Sequence, residues 1–325
     1  MAVVPRPLAK RAQEGAVVRF LIARLSSLGD VVCSLPAAVA LKATYPDCET
    51  VWCVDARFAG VVQLCGAVDR VAPVPAKDKR GFVRGLGEFD AAFDLQGLLK
   101  SALVVGHSKA KKKLGYHWQR EGSWLFSQRV MPEATSLHVT DQYVDVVRAF
   151  GAEADRAEFG LKPDPEDVKT VRRLLPGDGE IVVCNAGAGW ATKRWPAANF
   201  AQLANSLHAQ GVRACFIGAE SDRKAFEEVK DAGATHAFDL IGRTNVRELV
   251  ALISTARAHV GGDTGSTHIA AALGVPAVGL YSVTRPERTC PYGQRHNTLY
   301  DPAGLGRIGP EAALESLGRA IGQNA

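Results

Sequence analysis

At 325 residues the chain is long for one domain and sufficient for two, and its 47% hydrophobic and 22% charged content excludes a disordered polymer. The net charge of +5 is mild and sits in the first half, where residues 1–160 hold 21 Lys plus Arg against 17 Asp plus Glu; residues 161–325 hold 18 against 17. With no recognised binding motif beside that excess, nucleic acid is an unlikely partner, and no stretch reaches the roughly 18 apolar residues of a spanning helix.

Residues 16–25 (AVVRFLIARL) read as a buried strand that runs through SSLGD into a helical stretch containing LPAAVALKA. Residues 50–55 give a second strand, Ala56 to Cys65 a helix, residues 70–74 a third strand, and residues 89–97 a fourth, followed by the helix LLKSALVVG. The densest basic run, HSKAKKK at residues 107–113, reads by default as a solvated loop, although with Arg57 and Arg120 it would suit an anionic substrate or a membrane surface. Residues 134–150 read as one amphipathic helix. The polar, proline-containing stretch after it marks a domain junction near residues 160–178. Beyond it, residues 180–189, 212–220 and 236–242 are strand-to-loop units alternating with helices, and a last helix follows Gly309. This alternation predicts an α/β protein with two Rossmann-like, doubly wound parallel sheets. The domains expected are 16–160, a linker over 161–178, and 179–325.

The seven cysteines form no C-x-x-C pair and several lie inside apolar runs, as buried thiols of a reducing compartment do. Residues 1–15 are basic, but Arg19 and Arg24 break the apolar segment after them, which argues against a signal peptide and for the cytoplasm.

Chemistry concentrates in residues 261–281, GGDTGSTHIAAALGVPAVGLY, flanked by the apolar strands ARAHV and AVGLY. Gly261 and Gly262 permit a tight turn, Gly265 permits close approach of a ligand, and Asp263, Thr264, Ser266 and Thr267 stand where the helix begins. An anion is favoured there by unpaired amides and the helix dipole. An isolated Asp-Thr pair would read as a helix cap, but three glycines and His268 around it shift the reading to a site. A second loop, NAGAGWATKRWP at residues 185–196, can bring amides, Thr192 and Lys193 to an anion, while Trp195 reads as a core anchor. Thr192 occupies the third glycine position of a dinucleotide fingerprint, and the order of glycine, lysine and hydroxyl is wrong for a Walker loop. Glu220 ends a strand, where it could accept from a ribose or cap the helix beginning near Asp222; both readings stay open. Asp30 ends the first strand–turn unit, as a general base or as a helix cap. Lys100 could reach the same region. His138 and His268 are not spaced as metal ligands, and no D-x-D pair is present.

Taken together, RLSSLGDVVCSLPA, FDLQGLLKSAL, KKLGYHWQREGSWLFS, GAGWATKRWP and GGDTGSTHIAAALGVP resemble glycosyltransferase family 9, the ADP-heptose:lipopolysaccharide heptosyltransferases, from about Phe20 to Tyr281. The resemblance implies a GT-B fold whose two Rossmann-like domains face a cleft, the donor mainly on the second and the acceptor on the first. By position Asp30 matches the catalytic base, Lys193 the lysine on the donor diphosphate, and Glu220 the ribose acid; Asp263, Thr264, Gly265 and His268 match the donor-binding turn. Ser266 and Thr267 replace the Pro and larger apolar residue of many members. Ala188 and Gly189 replace threonines, so that amides and Thr192 would serve the donor instead. The implied reaction is inverting transfer of heptose from ADP-heptose to the Kdo/heptose inner core of lipopolysaccharide, with no metal or cofactor. Arg57, Lys100 and Arg120 would hold the anionic lipid-linked saccharide, with possible peripheral contact at the cytoplasmic face of the inner membrane. The competing readings are a GT-B transferase using another nucleotide sugar or a protein acceptor, an NAD-dependent oxidoreductase, and a non-catalytic nucleotide-binding module.

Overall fold

The computed structural model describes residues 17–175, 177, 179–187 and 193–322, and the chain forms two compact units that meet in sequence between Lys162 and Pro163. In the first, six strands run β1 Arg19–Ala23, β2 Glu49–Val54, β3 Arg70–Pro73, β4 Glu88–Asp94, β5 Lys109–Tyr116 and β6 Gln128–Val130. They form one parallel sheet in the order β3-β2-β1-β4-β5-β6. The helices between and after them are α1 Leu28–Thr44, α2 Ala59–Gln63, α3 Lys79–Gly85, α4 Leu99–His107 and α5 Val139–Arg148. The central strand β1 is buried on both faces, which is why it reads as a continuous apolar run. Phe20 meets Tyr45, Phe93 and Phe150 with ring centroids 5.5 to 6.0 Å apart, tying the strand to its neighbour β4 and to the chain just beyond α1 and α5.

The second unit repeats the plan with β7 Ile181–Asn185, β8 Arg213–Phe216, β9 Phe238–Asp239, β10 Ala258–Gly261, β11 Ala277–Tyr281 and β12 Thr298–Tyr300. All pairings are parallel, in the order β12-β11-β10-β7-β8-β9. Its helices are α6 Pro165–Leu174, α7 Ala197–Ala209, α8 Arg223–Asp231, α9 Val246–Ser254, α10 Gly265–Ala272, α11 Pro286–Thr289 and α12 Pro310–Gly322. Trp195 is buried, donates to the Ile308 carbonyl at 2.8 Å and packs edge-on against Phe200, the anchor role expected of it. Each sheet therefore steps outward from its first strand, then reverses, as doubly wound sheets do. The reversal falls between β1 and β4 in one unit and between β7 and β10 in the other.

Several local expectations are corrected. The lysine run is no loop: residues 109–113 begin β5, where Lys109, Lys111 and Lys112 stay exposed as expected, Lys111 pairs with the buried Asp90 at 3.0 Å and the Lys112 ammonium lies 5.8 Å from the Phe150 ring centroid. Long lysine stems can cover apolar surface while their charges reach partners or water, so a strand tolerates them. The helix expected over residues 134–150 starts only at Val139, because the His138 ring accepts from the Thr140 amide at 3.1 Å and caps it there. Within the expected linker lies α6, whose flank is clamped by Arg247 to Asp164 at 2.7 Å and Asp167 at 2.9 Å. All seven cysteines are buried free thiols, and burial pushes Cys53 up to about 12. No described helix is long and apolar enough to cross a membrane.

Candidate active site

In the first unit the loops after β1, β2 and β4 leave the same carboxyl edge of the sheet, and the reversal between β1 and β4 opens a crevice there. Asp30 sits in the first turn of α1. Its Oδ1 lies 2.7 Å from Arg24 Nη2, and its Oδ2 accepts from the Ser27 amide at 3.2 Å and the Ser27 hydroxyl at 2.7 Å. The carboxylate is thus both part of a capping box and half of an ion pair, while its side chain remains 42% exposed. Arg24 is buried; it also donates to the Leu95 carbonyl at the end of β4 and lies 4.9 Å from the Tyr143 ring centroid. Burial opposes its charge, yet Tyr143 and Asp30 hold its pKa above the ordinary arginine value.

Lys100 joins this edge through Nζ, which donates to the Ser26 hydroxyl at 2.5 Å. Arg57 is largely exposed and forks onto Asp55 with contacts of 3.0 and 2.9 Å. That hydrogen-bonded pairing, helped by Lys100, draws the Asp55 carboxyl down to about 2. Arg120 reaches the edge by its backbone, donating to the Gly97 carbonyl at 2.8 Å. Gly97 has φ +70°, and a Cβ there would stand 2.5 Å from the Trp118 carbonyl oxygen, so only glycine lets the two loops meet.

In the second unit the corresponding reversal lies between β7 and β10, and Lys193 and Asp263 meet there. Lys193 Nζ is 2.8 Å from Asp263 Oδ2, and His268 Nε2 is 3.3 Å from Asp263 Oδ1. Burial raises the Asp263 pKa, but His268 and then Lys193 outweigh it and hold the carboxyl well below the usual range. Asp263 is therefore no helix cap. Thr264 holds the N-cap position, but its side chain makes no cap hydrogen bond.

The hydroxyls instead satisfy one another. His259 is fully buried with Nδ1 lacking a partner among the described residues, a position that costs less for a bare nitrogen than for an N–H, so Nε2 donates to Ser266 Oγ at 3.0 Å. The chain then runs from Ser266 to Thr264 at 3.1 Å, from Thr264 to Thr267 at 3.3 Å, and from Thr267 to the Gly262 carbonyl at 2.6 Å. Asn185 closes it, donating to Ser266 at 2.9 Å while its carbonyl accepts from the Gly187 amide at 3.0 Å. With the hydroxyls engaged, the first amides of α10 remain as the anion-binding groups.

Glu220 starts a single 3-10 turn after β8 and forks onto Arg223 at 3.1 and 3.2 Å, a pairing that lowers its pKa; its side chain is 71% exposed. Asp222, not Glu220, caps this turn by accepting from the Ala219 amide at 2.9 Å. Gly189 and Thr192 lie outside the described residues. Arg24, Asn185 and His259 are the polar side chains the sequence reading passed over, and each had a signal: a polar residue inside or at the end of an otherwise apolar buried strand. Among the described residues no group of three or more His, Cys, Asp or Glu side chains is placed to hold a metal ion.

Residues 82–304 match the model of glycosyltransferase family 9 (heptosyltransferase). The chain is 30% identical over 301 residues to lipopolysaccharide heptosyltransferase 1 of Pseudomonas aeruginosa, covering 85% of this chain and 82% of that one. It is 28% identical over 291 residues to a lipopolysaccharide core heptosyltransferase of Haemophilus influenzae, covering 86% and 83%. The solved structure of Escherichia coli ADP-heptose lipopolysaccharide heptosyltransferase II superposes with a TM-score of 0.81 at 24% identity over 95% of this chain and 99% of that one, and it shares the two-domain GT-B fold. The chain belongs to glycosyltransferase family 9, the heptosyltransferases.

Proposed function

We propose that this heptosyltransferase takes its sugar from ADP-heptose and transfers it, with inversion, to the Kdo/heptose inner core of a lipopolysaccharide precursor, binding the donor on its second unit and the acceptor on its first. The observation that carries the reading is the meeting of Lys193 and Asp263, 70 residues apart in sequence, beside the uncapped N-terminus of α10 at the β7/β10 reversal. The names of the relatives, lipopolysaccharide heptosyltransferases and an ADP-heptose enzyme, supply the sugar, the nucleotide and the acceptor class.

In this reading the donor diphosphate sits on the α10 amides. An ammonium has three donors, so Lys193 can keep Asp263 and still donate to a phosphate oxygen. Asp263 and His268 hold Lys193 in place, Gly265 allows close approach, and Gly189 and Thr192 contribute from the preceding loop. Asp30 takes the proton from the acceptor hydroxyl as that oxygen bonds to the anomeric carbon. The bond from that carbon to the diphosphate breaks on the opposite side, and the growing negative charge falls on Lys193 and the amides, groups worth roughly 3 kcal/mol each when well placed in other enzymes. Lys100, Arg57 and Arg120 meet an anionic acceptor, and Glu220 meets the ribose if it leaves Arg223. The buried free thiols fit a cytoplasmic enzyme.

Calorimetric titration with ADP, UDP, GDP and NAD tests this. ADP binds in preference to the others, and Lys193→Ala weakens it by roughly 10- to 100-fold, the worth of a charge-assisted hydrogen bond. Preference for UDP or GDP replaces the donor, and tight binding of NAD alone rejects the transferase site. Transfer from ADP-heptose to a Kdo-bearing lipid, but not to protein, then fixes the acceptor.

A further inference from the structure

The second sheet is wholly parallel, so the loops that follow its strands leave one carboxyl edge in the order of the strands themselves. Asn185, Gly261 and Gly279 stand in register across β7, β10 and β11, which sets the ends of these strands nearly level. Glu220 follows β8, Lys193 and Asp263 meet beyond β7 and β10, and residues 282–285 follow β11. Neighbouring strands lie about 4.8 Å apart, so from the turn beyond β10 it is two strands, about 10 Å, to the loop of Glu220 and one strand, about 5 Å, to the loop beyond β11 on the other side.

A nucleotide sugar is a linear molecule of base, ribose, two phosphates and sugar. With the diphosphate at Lys193 and the ribose towards Glu220, the sugar continues towards β11. The longer arm suits a ribose and two phosphates, and the shorter one suits a sugar bonded directly to the second phosphate.

The loop that stands there is fixed and faces the pair. Val283 and Thr284 border the same small pocket as Lys193 and Asp263, over the buried side chains of Leu280 and Leu305. Both ends of the loop are pinned: the Tyr281 hydroxyl donates to the Thr289 carbonyl at 2.6 Å, the Tyr281 carbonyl accepts from the Asp301 amide at 3.2 Å, and Pro286 is buried. Ser282 is buried, whereas Val283 is 62% exposed and Thr284 half-buried. The hydroxyls of Thr264, Ser266 and Thr267 are engaged with one another, while that of Thr284 has no hydrogen-bond partner among the described residues. A loop threonine elsewhere would read as solvated surface; sharing a pocket with Lys193 and Asp263 sets this one apart. An apolar wall with one available hydroxyl is a lining that orients a polyhydroxylated ligand.

We propose that residues 282–285 form the sugar-side wall of the donor site and that the Thr284 hydroxyl hydrogen-bonds a hydroxyl of the transferred sugar, which makes Thr284 a specificity-determining residue. Val283 packs against the carbon face of that sugar. The proposal rests on the donor reading above, and it adds the direction in which the donor lies across the sheet.

Calorimetric titration of the full chain with ADP and with ADP-heptose, in the absence of acceptor, tests it on two variants. Thr284→Val weakens ADP-heptose by roughly tenfold and leaves ADP affinity and the melting curve unchanged, and Thr284→Ser, which keeps the hydroxyl, recovers most of the loss. Glu220→Gln weakens ADP and ADP-heptose alike. A Thr284→Val chain that binds ADP-heptose as the wild type does overturns the proposal. So does one that loses ADP and ADP-heptose equally, which puts the loop at the nucleotide, or a Glu220→Gln chain that loses only ADP-heptose, which turns the donor end for end. A wild type that binds neither ligand rejects the donor reading itself, and the ADP titration alone shows that result.

Discussion

Asp30 is held from both sides: the Arg24 guanidinium fixes one carboxylate oxygen and the Ser27 amide and hydroxyl fix the other. Such fixing restricts rotation of the carboxylate, so a hydroxyl brought to its exposed side meets a base of set orientation. Arg24 can do this because its planar head serves Asp30 and the Leu95 carbonyl together, a task for which a lysine ammonium is poorly shaped. Replacing Asp30 with asparagine keeps size and much of the hydrogen bonding but removes the proton acceptor. Turnover should fall by about 10²- to 10⁴-fold while the dissociation constant for ADP stays put. Steady-state transfer assays beside calorimetry decide it: unchanged turnover removes Asp30 from the proton step, and a parallel loss of ADP binding shows damage beyond it.

At the scale of elements, β10, the glycine turn and α10 form one unit whose polar interior is wired from His259 through three hydroxyls to the Gly262 carbonyl. Burial pushes the His259 pKa down to about 3, with His268 adding to the effect. The sign follows from proton counting. Below about 6.5 the unfolded chain takes up a proton at this position that the folded chain refuses, so folding stability declines as pH falls from about 6.5 towards 3 by roughly 1.4 kcal/mol per unit. Denaturant titrations across that range should show His259→Asn losing stability less steeply than the wild type; equal slopes would mean that the ring is protonated when folded. Much of this unit was legible in the sequence, because glycines, hydroxyls and small residues at a strand–helix junction have few other uses. Its wiring was not, since Asn185 reaches it from β7, a strand that the chain order sets far away, and the hydroxyls expected to face a ligand turn toward one another. The same gap explains β5. Its lysines read as loop residues until the neighbouring strand supplies Asp90 and the turn after α5 supplies Phe150. Strands with continuous apolar runs, such as β1, β2 and β10, needed no partner to be recognised.

Over the whole molecule, two sheets of the same strand order each place their chemistry at the reversal, Asp30 beyond β1 and Lys193 with Asp263 beyond β7 and β10. Each unit has its own apolar core, one around Leu21, Val51 and Phe89 and one around Phe200, Phe216 and Val260, so each carries the burial needed for a separate unfolding transition. A ligand that binds the native form of one unit stabilises that unit by mass action, about 2.7 kcal/mol at a hundred times its dissociation constant. Scanning calorimetry with and without ADP should therefore raise one component of the melting profile and leave the other in place. Lys193→Ala should remove the ADP-dependent rise at the same nucleotide concentration, whereas Asp30→Asn should keep it. If ADP instead raises the whole profile as a single transition, the two units unfold together and the separation of their cores does not extend to their stability; if Asp30→Asn also abolishes the rise, the donor is not confined to the second unit.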